Sequence, residues 1–314
     1  MAVMLPGRWT FSATIPGAMA HPIDEYRVDT PRLALSVRDH RGGEPALLAL
    51  HGLASNARWW DLVADHLVPA HRVIAVDLPG HGRSDRPDTG YDFDSVAADL
   101  GALLAVVHSA PVVVVGHSWG ATVALAFAVD HPELALGVVC IDGGAGDLKA
   151  YFGPTWEMAE QTMRPPALAG ITPEMLRSWM DSSPLRDGSD PDTAAEILGG
   201  NFEDDGSGAG ALRPRLSLEH HMQIAHHLFD ADGFELMAKV RCPMLFIPAG
   251  HPDHEDSPKV RSMARVREVL GDRARIEWID GVHDLPVQRP VEVAAAITAF
   301  LDEIAAEPRS ASQQ

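Results

Sequence analysis

The chain has 314 residues, 46% of them hydrophobic and 22% charged, which is enough to bury one large core or a core carrying an insertion. Its formal charge of −19 argues against nucleic acid and anionic membrane as partners, and mildly disfavours strongly anionic substrates. No run approaches the ~18 apolar residues of a membrane span, and the two cysteines, Cys140 and Cys242, read as thiols of a cytoplasmic protein.

Residues 1–20 end in Ala18-Met19-Ala20, which looks like a cleavage site. Pro6, Gly7, Arg8 and Thr10 interrupt any apolar stretch, however, and no basic segment precedes it, so this is an ordinary or partly disordered leader. Residues 25–38 read as a first pair of antiparallel strands. Residues 46–50 form a short buried strand that runs straight into His51-Gly52-Leu53. Residues 57–68 have helical periodicity, with Trp60, Leu62, Val63 and Leu67 on a core face. Trp59 and Trp60 at its start read as packing, with pocket lining the alternative. Residues 72–77 are the next strand and lead into Leu78-Pro79-Gly80-His81-Gly82-Arg83-Ser84-Asp85, a turn in which Asp77 and Ser84 are placed to bond loop backbone. Residues 93–107 form an amphipathic helix.

The stretch that organises the chain is PVVVVGHSWGATVALAFAVDH, at 111–131. Four valines in a row suit a strand buried on both faces, because β-branched side chains pack well on a pleated surface. From Ser118 the residues become small and apolar, as in a buried helix that stops near His131-Pro132. Gly116-His117-Ser118-Trp119-Gly120 is a G-x-S-x-G placed where the strand turns into the helix. A serine at such an apex sits in a strained backbone conformation with its Oγ clear of the sheet. Positions two before and two after it come so close that a Cβ on either clashes, and glycine removes the clash.

Residues 136–142 are the following strand, and Asp142 ends it on the sheet edge where ligands bind in open α/β folds. From 143 to 240 the alternation of strand and helix lapses. Helical patterns recur at 155–163, 173–180, 193–198 and 216–229, so the segment is an inserted helical cap rather than a loop. Trp156, Met158, Met163, Met175, Trp179, Met180 and Met222 suggest an adaptable apolar roof. His220, His221, His226 and His227 lack a metal-binding spacing and read as a polar helix face. Residues 244–248 resume the sheet, 264–269 belong to a helix, 275–279 form a last strand, and 290–304 close the chain as a helix before a polar tail.

The G-x-S-x-G elbow, the H-G pair after strand 46–50 and the D-x-P-G-H-G-x-S run together resemble the α/β-hydrolase family, over nearly the whole chain outside the cap and the first twenty residues. The resemblance implies an α/β fold with a mostly parallel eight-stranded sheet flanked by helices. Residues 21–142 and 241–306 would form the core, 143–240 the cap, and 307–314 a disordered tail. It implies Ser118 as nucleophile and His283, in the loop after the last strand, as base. Gly250 and Asp253 match the family's G-x-x-D, which makes Asp253 the acid; Asp142 holds the alternative acid position, and Glu255 and Asp256 share the loop of Asp253. The N–H groups of Leu53 and Trp119 would form the oxyanion hole. His81 precedes the nucleophile, where this family places its histidine last, so it is not the base. Strands 136–142 and 242–248 would be parallel neighbours with their cysteines about four residues out of step. That is roughly 13 Å, beyond the ~7 Å a disulfide spans.

A serine nucleophile sets the chain apart from the dehalogenases and epoxide hydrolases of this fold, which attack with aspartate. The implied activity is hydrolysis of a carboxylic ester, lactone or thioester of a small to medium apolar substrate, through an acyl-enzyme on Ser118. No metal, nucleotide or organic cofactor is required. Carbon–carbon bond hydrolysis and cofactor-free perhydrolysis use the same three residues, and a ligand receptor on a hydrolase scaffold is the reading from another class. Oligomeric state and physiological substrate are not encoded in any motif.

Overall fold

The structure, a computed structural model, describes residues 4–5, 8–10, 21–108, 110–146, 148–168, 170–253 and 257–306. The remainder of the expected leader, the tail 307–314, and Glu255 and Asp256 lie outside the described residues. In chain order the strands are β1 (Met4–Leu5), β2 (Arg8–Thr10), β3 (Ile23–Asp29), β4 (Ala34–His40), β5 (Leu47–Leu50), β6 (Val73–Asp77), β7 (Val112–His117), β8 (Ala135–Ile141), β9 (Phe202–Asp204), β10 (Leu212–Pro214), β11 (Met244–Ile247) and β12 (Ala274–Ile276). The helices are α1 (Asp61–Leu67), α2 (Phe93–Val107), α3 (Trp119–Asp130), α4 (Leu148–Phe152), α5 (Trp156–Met163), α6 (Pro173–Ser182), α7 (Pro191–Gly199), α8 (Leu218–Asp230), α9 (Gly233–Lys239), α10 (Pro258–Leu270), α11 (Leu285–Gln288) and α12 (Pro290–Ala306).

The central sheet runs β3-β4-β6-β5-β7-β8-β11-β12, antiparallel across β3, β4 and β6 and parallel from there on. These are the eight strands expected. The short β1 and β2 add to the β3 edge, so part of the expected leader belongs to the sheet. Both faces are covered, and the valine run shows how. Val112 and Val114 pack into the core shared with α2, α3 and α9, whereas Val113 and Val115 pack into the core shared with α1 and α12. A period-2 strand with apolar residues at every position has a core on each side. Trp59 and Trp60 pack into the second of these cores.

The first antiparallel strands carry a buried ionic layer that no motif announced. Arg38 makes a bidentate pair with Asp61, at 2.9 and 2.8 Å. Arg72 does the same with Asp39, at 2.9 and 2.7 Å, and Tyr26 donates to Asp39. Planar guanidinium forks suit carboxylates in this way, and each fixes the position of a strand or helix relative to its neighbour.

The inserted segment is mostly helical, as expected, but also contains the antiparallel pair β9–β10. Its own small core gathers Ile171, Leu176 and Phe202. The expected boundary at 240 is too late, because Phe234 and Met237 of α9 and the following Val240 pack into the main core beside α3. In the register of β8 with β11, Cys140 faces Phe246, which puts Cys242 four positions away along the neighbouring strand; both are free thiols.

Candidate active site

Ser118 stands between β7 and α3 with φ 55° and ψ −121°, a conformation that costs a non-glycine residue about 1–3 kcal/mol. The surroundings hold it there. Its N–H donates to Ile141 O at 2.9 Å. A Cβ built on Gly116 would lie 2.1 Å from Gly120 O, and one on Gly120 would lie 2.4 Å from Leu50 O. The two glycines are therefore needed for the close approach that the motif implied.

His283, in the loop between β12 and α11, reaches Ser118 with its Nε2, 2.9 Å from Oγ. Its Nδ1 lies 2.6 Å from Asp142 Oδ2. Asp142 immediately follows β8 with φ 42°, a left-handed conformation that aspartate tolerates better than most residues. Its side chain is 3% exposed, and Oδ1 accepts the Ala249 N–H at 2.9 Å. Lys259, near the start of α10, donates to Oδ2 at 2.8 Å and to Ala249 O at 3.0 Å. Burial by itself would push the Asp142 carboxyl up, but its bonds from His283 and Lys259 bring it below the ordinary value. For His283 burial works against the charged form, yet the hydrogen bond and charge of Asp142 outweigh it and hold the imidazole above the usual histidine range.

The expected acid, Asp253, is not at this position. Its carboxylate pairs with His251 at 3.2 Å and its side chain is 83% exposed. The physical reason lies in the loop after β11. There the Ala249 N–H and Lys259 close on Asp142, so the place beside His283 is filled from β8 instead. Ser118, His283 and Asp142 come together; Asp253 does not join them. Lys259 was not singled out in the sequence, where a Pro-Lys at a helix start carries no signal of its own.

Three buried histidines frame the site. His51 donates from Nδ1 to Gly52 O at 2.7 Å and accepts the Leu78 N–H at 3.0 Å. His81 donates from Nδ1 to Pro79 O at 2.9 Å, accepts the Ala54 N–H at 3.1 Å and stacks on Trp119. It thus braces the loop that carries Leu53. Asp77 accepts from the N–H groups of Ala57 and Arg83, while Ser84 donates to Asp77 O and accepts the Ser36 N–H. That is the loop-bonding role expected for this pair. His117 donates from Nε2 to the His283 carbonyl at 2.8 Å, and the two rings lie 4.8 Å apart. Burial is the main cause that lowers all three, His51 to about 4 and His81 and His117 to about 3, so they are neutral braces.

Leu53 follows Gly52, whose position is so close to the nucleophile that an added Cβ would lie 3.1 Å from Ser118 Cβ. Trp119 opens α3, where backbone N–H groups lack intrahelical acceptors. Both candidate oxyanion donors therefore sit beside Ser118.

A cavity of about 370 Å³ opens over Ser118 and His283, with Tyr151, Phe152, Leu228 and Phe246 among its apolar walls. A second, of about 1270 Å³, lies beyond Ala54 and Ser55 under the inserted segment. Arg86, Arg164, Arg213 and Arg215 line it, three of them converging on Glu203. Of the expected roof, Trp179 lines this second cavity, Met158 and Met175 face solvent, and Met180 is buried in the core. The histidines of α8 are engaged separately. His220 lies against the Tyr91 ring, His221 bonds Met163 O, and His226 stacks on Trp156. Among the described residues no group of three or more His, Cys, Asp or Glu side chains could hold a metal ion, and no helix is long and apolar enough to cross a membrane.

A family model described as alpha/beta hydrolase fold matches residues 45–171. By sequence the chain is 38% identical over 116 residues to a 2-(acetamidomethylene)succinate hydrolase of Mesorhizobium japonicum, an alignment that covers 37% of this chain and 41% of that protein's length. It is 26% identical over 286 residues to the sn-1-specific diacylglycerol lipase ABHD11 of Danio rerio, covering 88% of this chain and 85% of that one. By structure it is similar to E-2-(acetamidomethylene)succinate hydrolase, with a TM-score of 0.73, 25% identity, and coverage of 90% of this chain and all of the other.

Proposed function

We propose that the chain, which a model of the alpha/beta hydrolase fold matches over residues 45–171, is a serine hydrolase of that fold cleaving a carboxylic ester or lactone of a small to medium apolar acyl compound. The observation that carries this reading is the relay Ser118 Oγ–His283 Nε2 at 2.9 Å and His283 Nδ1–Asp142 Oδ2 at 2.6 Å.

Ser118 is a poor nucleophile until His283 accepts its proton during attack on the acyl carbon. Asp142 holds the proton on Nδ1, so that Nε2 is the free base, and stabilises the imidazolium that forms. The N–H groups of Leu53 and Trp119 receive the developing oxyanion, each such donor being worth ~3 kcal/mol in the transition state. His283 returns its proton to the leaving group, the acyl group remains on Ser118, and water activated by the same imidazole releases the acid. The apolar 370 Å³ cavity over Ser118 suits the acyl part of such a substrate.

The test is steady p-nitrophenolate release from p-nitrophenyl butyrate by the wild type against Ser118→Ala. Release that vanishes in the variant supports the reading, and equal release in both removes Ser118 from it. A single burst that stalls favours a receptor on this scaffold.

A second reading is favoured by the structural match along the full length of E-2-(acetamidomethylene)succinate hydrolase. In it the acyl compound is an acetamido derivative of succinate, as that protein's name states. The arginines of the second cavity, in excess over Glu203, suit an anionic substrate of that kind. An amide panel run beside the ester panel separates the two.

A further inference from the structure

The loop after β11 and the helix that follows it give this site a cation and a backbone N–H rather than a carboxylate. Lys259 Nζ lies 2.7 Å from Asp142 Oδ1 and 2.8 Å from Oδ2, and its third contact is Ala249 O at 3.0 Å. Ala249 in turn donates its N–H to Asp142 Oδ1 at 2.9 Å. Lys259, Ala249 and Asp142 therefore close a ring of hydrogen bonds, and His283 Nδ1 meets Asp142 Oδ2 beside it. The Lys259 side chain is 39% exposed and lines the cavity over Ser118.

We propose that Lys259 is a positioning residue of this site: it fixes the Asp142 carboxylate toward His283 Nδ1 and shares its charge, and so sets the pH below which His283 stops working as a base. This rests on the serine-hydrolase reading above.

The argument is electrostatic and geometric. A carboxylate only 3% exposed can stay ionised if donors replace the water it has lost, and Lys259 is the one donor here with a full permanent charge. An unshared carboxylate beside an imidazole favours imidazolium, which cannot take the Ser118 proton. A lysine on the same carboxylate opposes that, so the pair His283–Asp142 stays close to its working protonation state near neutral pH. The other groups facing this pair do not substitute for it. From its own loop Asp284 pulls His283 upward. From β7 His117 is a neutral brace. From α4 Tyr151, with Arg261 of α10 near it, feels the Asp142 charge without bonding it.

The experiment is a histidine-ring NMR titration of the full chain, with the His283 signal assigned by its disappearance in His283→Gln. It is run on wild type, Lys259→Gln and Lys259→Arg, alongside the pH profile of turnover. Gln keeps a donor for Ala249 O and loses the charge; Arg keeps the charge. In Lys259→Gln the His283 midpoint should rise by about half a unit to one unit, the size expected for a partly exposed partner charge. Turnover at pH 7 should fall by about three- to tenfold and recover as the pH is raised. Lys259→Arg should stay within about 0.3 of the wild-type midpoint. An unchanged midpoint in Lys259→Gln, or a loss of turnover equal at every pH, overturns the proposal. The NMR midpoint is read without substrate, so it decides the role of Lys259 even if no ester is hydrolysed, an outcome that would count against the serine-hydrolase reading alone.

Discussion

The imidazole of His283, in the loop after β12, is bonded across the intervening β11 to Asp142 after β8, Nδ1 to Oδ2 at 2.6 Å, while its other nitrogen faces Ser118 Oγ. Asp253, on the loop after the next strand, is turned to solvent and to His251. Asp142→Asn should therefore lower kcat by about 10⁴-fold, because an amide donating to Nδ1 fixes the wrong tautomer. Asp253→Asn should remain within about twofold, as is usual for an exposed residue away from such features. Turnover of one activated ester by both variants is the measurement, and a reversal of the two effects would return the acid role to Asp253.

The same site depends on backbone proximity. A Cβ on Gly120 meets the carbonyls of Leu50 and His51 at 2.4 and 2.5 Å, both of them backbone atoms that lead into the loop of Leu53. Gly120→Ala should cost about 3 kcal/mol or more of stability and displace that loop, with turnover falling further than the unfolded fraction accounts for. Gly199→Ala is the control, since a Cβ there meets nothing within 4 Å; it should be neutral or stabilising by about 0.5 kcal/mol. Urea unfolding and kcat, taken together on both variants, check this.

How much of this was legible follows from what each feature depends on. The elbow could be read from five residues because its glycines answer to backbone sterics, which hold in any context. The alternating use of Val112 to Val115 could be read because a strand has period 2 wherever it lies. The choice of acid could not, because it turns on where a loop of several residues places one carboxylate. Asp253 and Asp142 both stood in plausible positions, and the deciding contacts come from Lys259 and from the Ala249 N–H, a backbone group with no sequence signature. One signal did exist. Asp142 is followed by Gly143, where a Cβ would lie 2.2 Å from Ser118 O, so the chain just past β8 is pressed against the nucleophile. Pairings such as Arg38–Asp61 join residues far apart in the chain and leave no periodic trace.

That pairing makes its own prediction. Arg38 is 5% exposed and Asp61 3%, and the guanidinium also meets Glu25. Removing one partner of a buried pair strands the other charge, so Asp61→Ala should destabilise the fold by about 3–5 kcal/mol. Replacing both, as Arg38→Met with Asp61→Leu, should recover most of that loss, because the pair itself gains little over apolar packing. A double-mutant comparison of urea midpoints decides it, and equal losses in the single and double variants would mean that the charged hydrogen bonds themselves hold the layer and apolar packing cannot replace them.

The neutral histidines link folding to acidity. His51, His81 and His117 are 0–2% exposed and titrate in the folded chain at about 4, 3 and 3, against an ordinary value near 6.5. Between those limits the unfolded chain binds protons that the folded chain does not, so stability falls as the pH drops from about 6.5, by about 1.4 kcal/mol per pH unit for each such histidine. His283 has the opposite sign. Its folded value lies above the ordinary one, so its contribution is fully present below the unfolded value and is lost as the pH rises through the folded value. From pH 6 to pH 5 the slope comes from these three together with His21 and His221, whose values burial also lowers, because His283 is then mostly protonated in both states and most carboxylates remain ionised. Urea midpoints across that window should fall steeply in the wild type. In His81→Gln, which can still accept from the Ala54 N–H without gaining a proton, the slope should flatten by about 1 kcal/mol per pH unit. An unchanged slope would mean that His81 already titrates normally in the folded chain, and the brace on the Leu53 loop would then take up its proton as the pH falls below about 6.5.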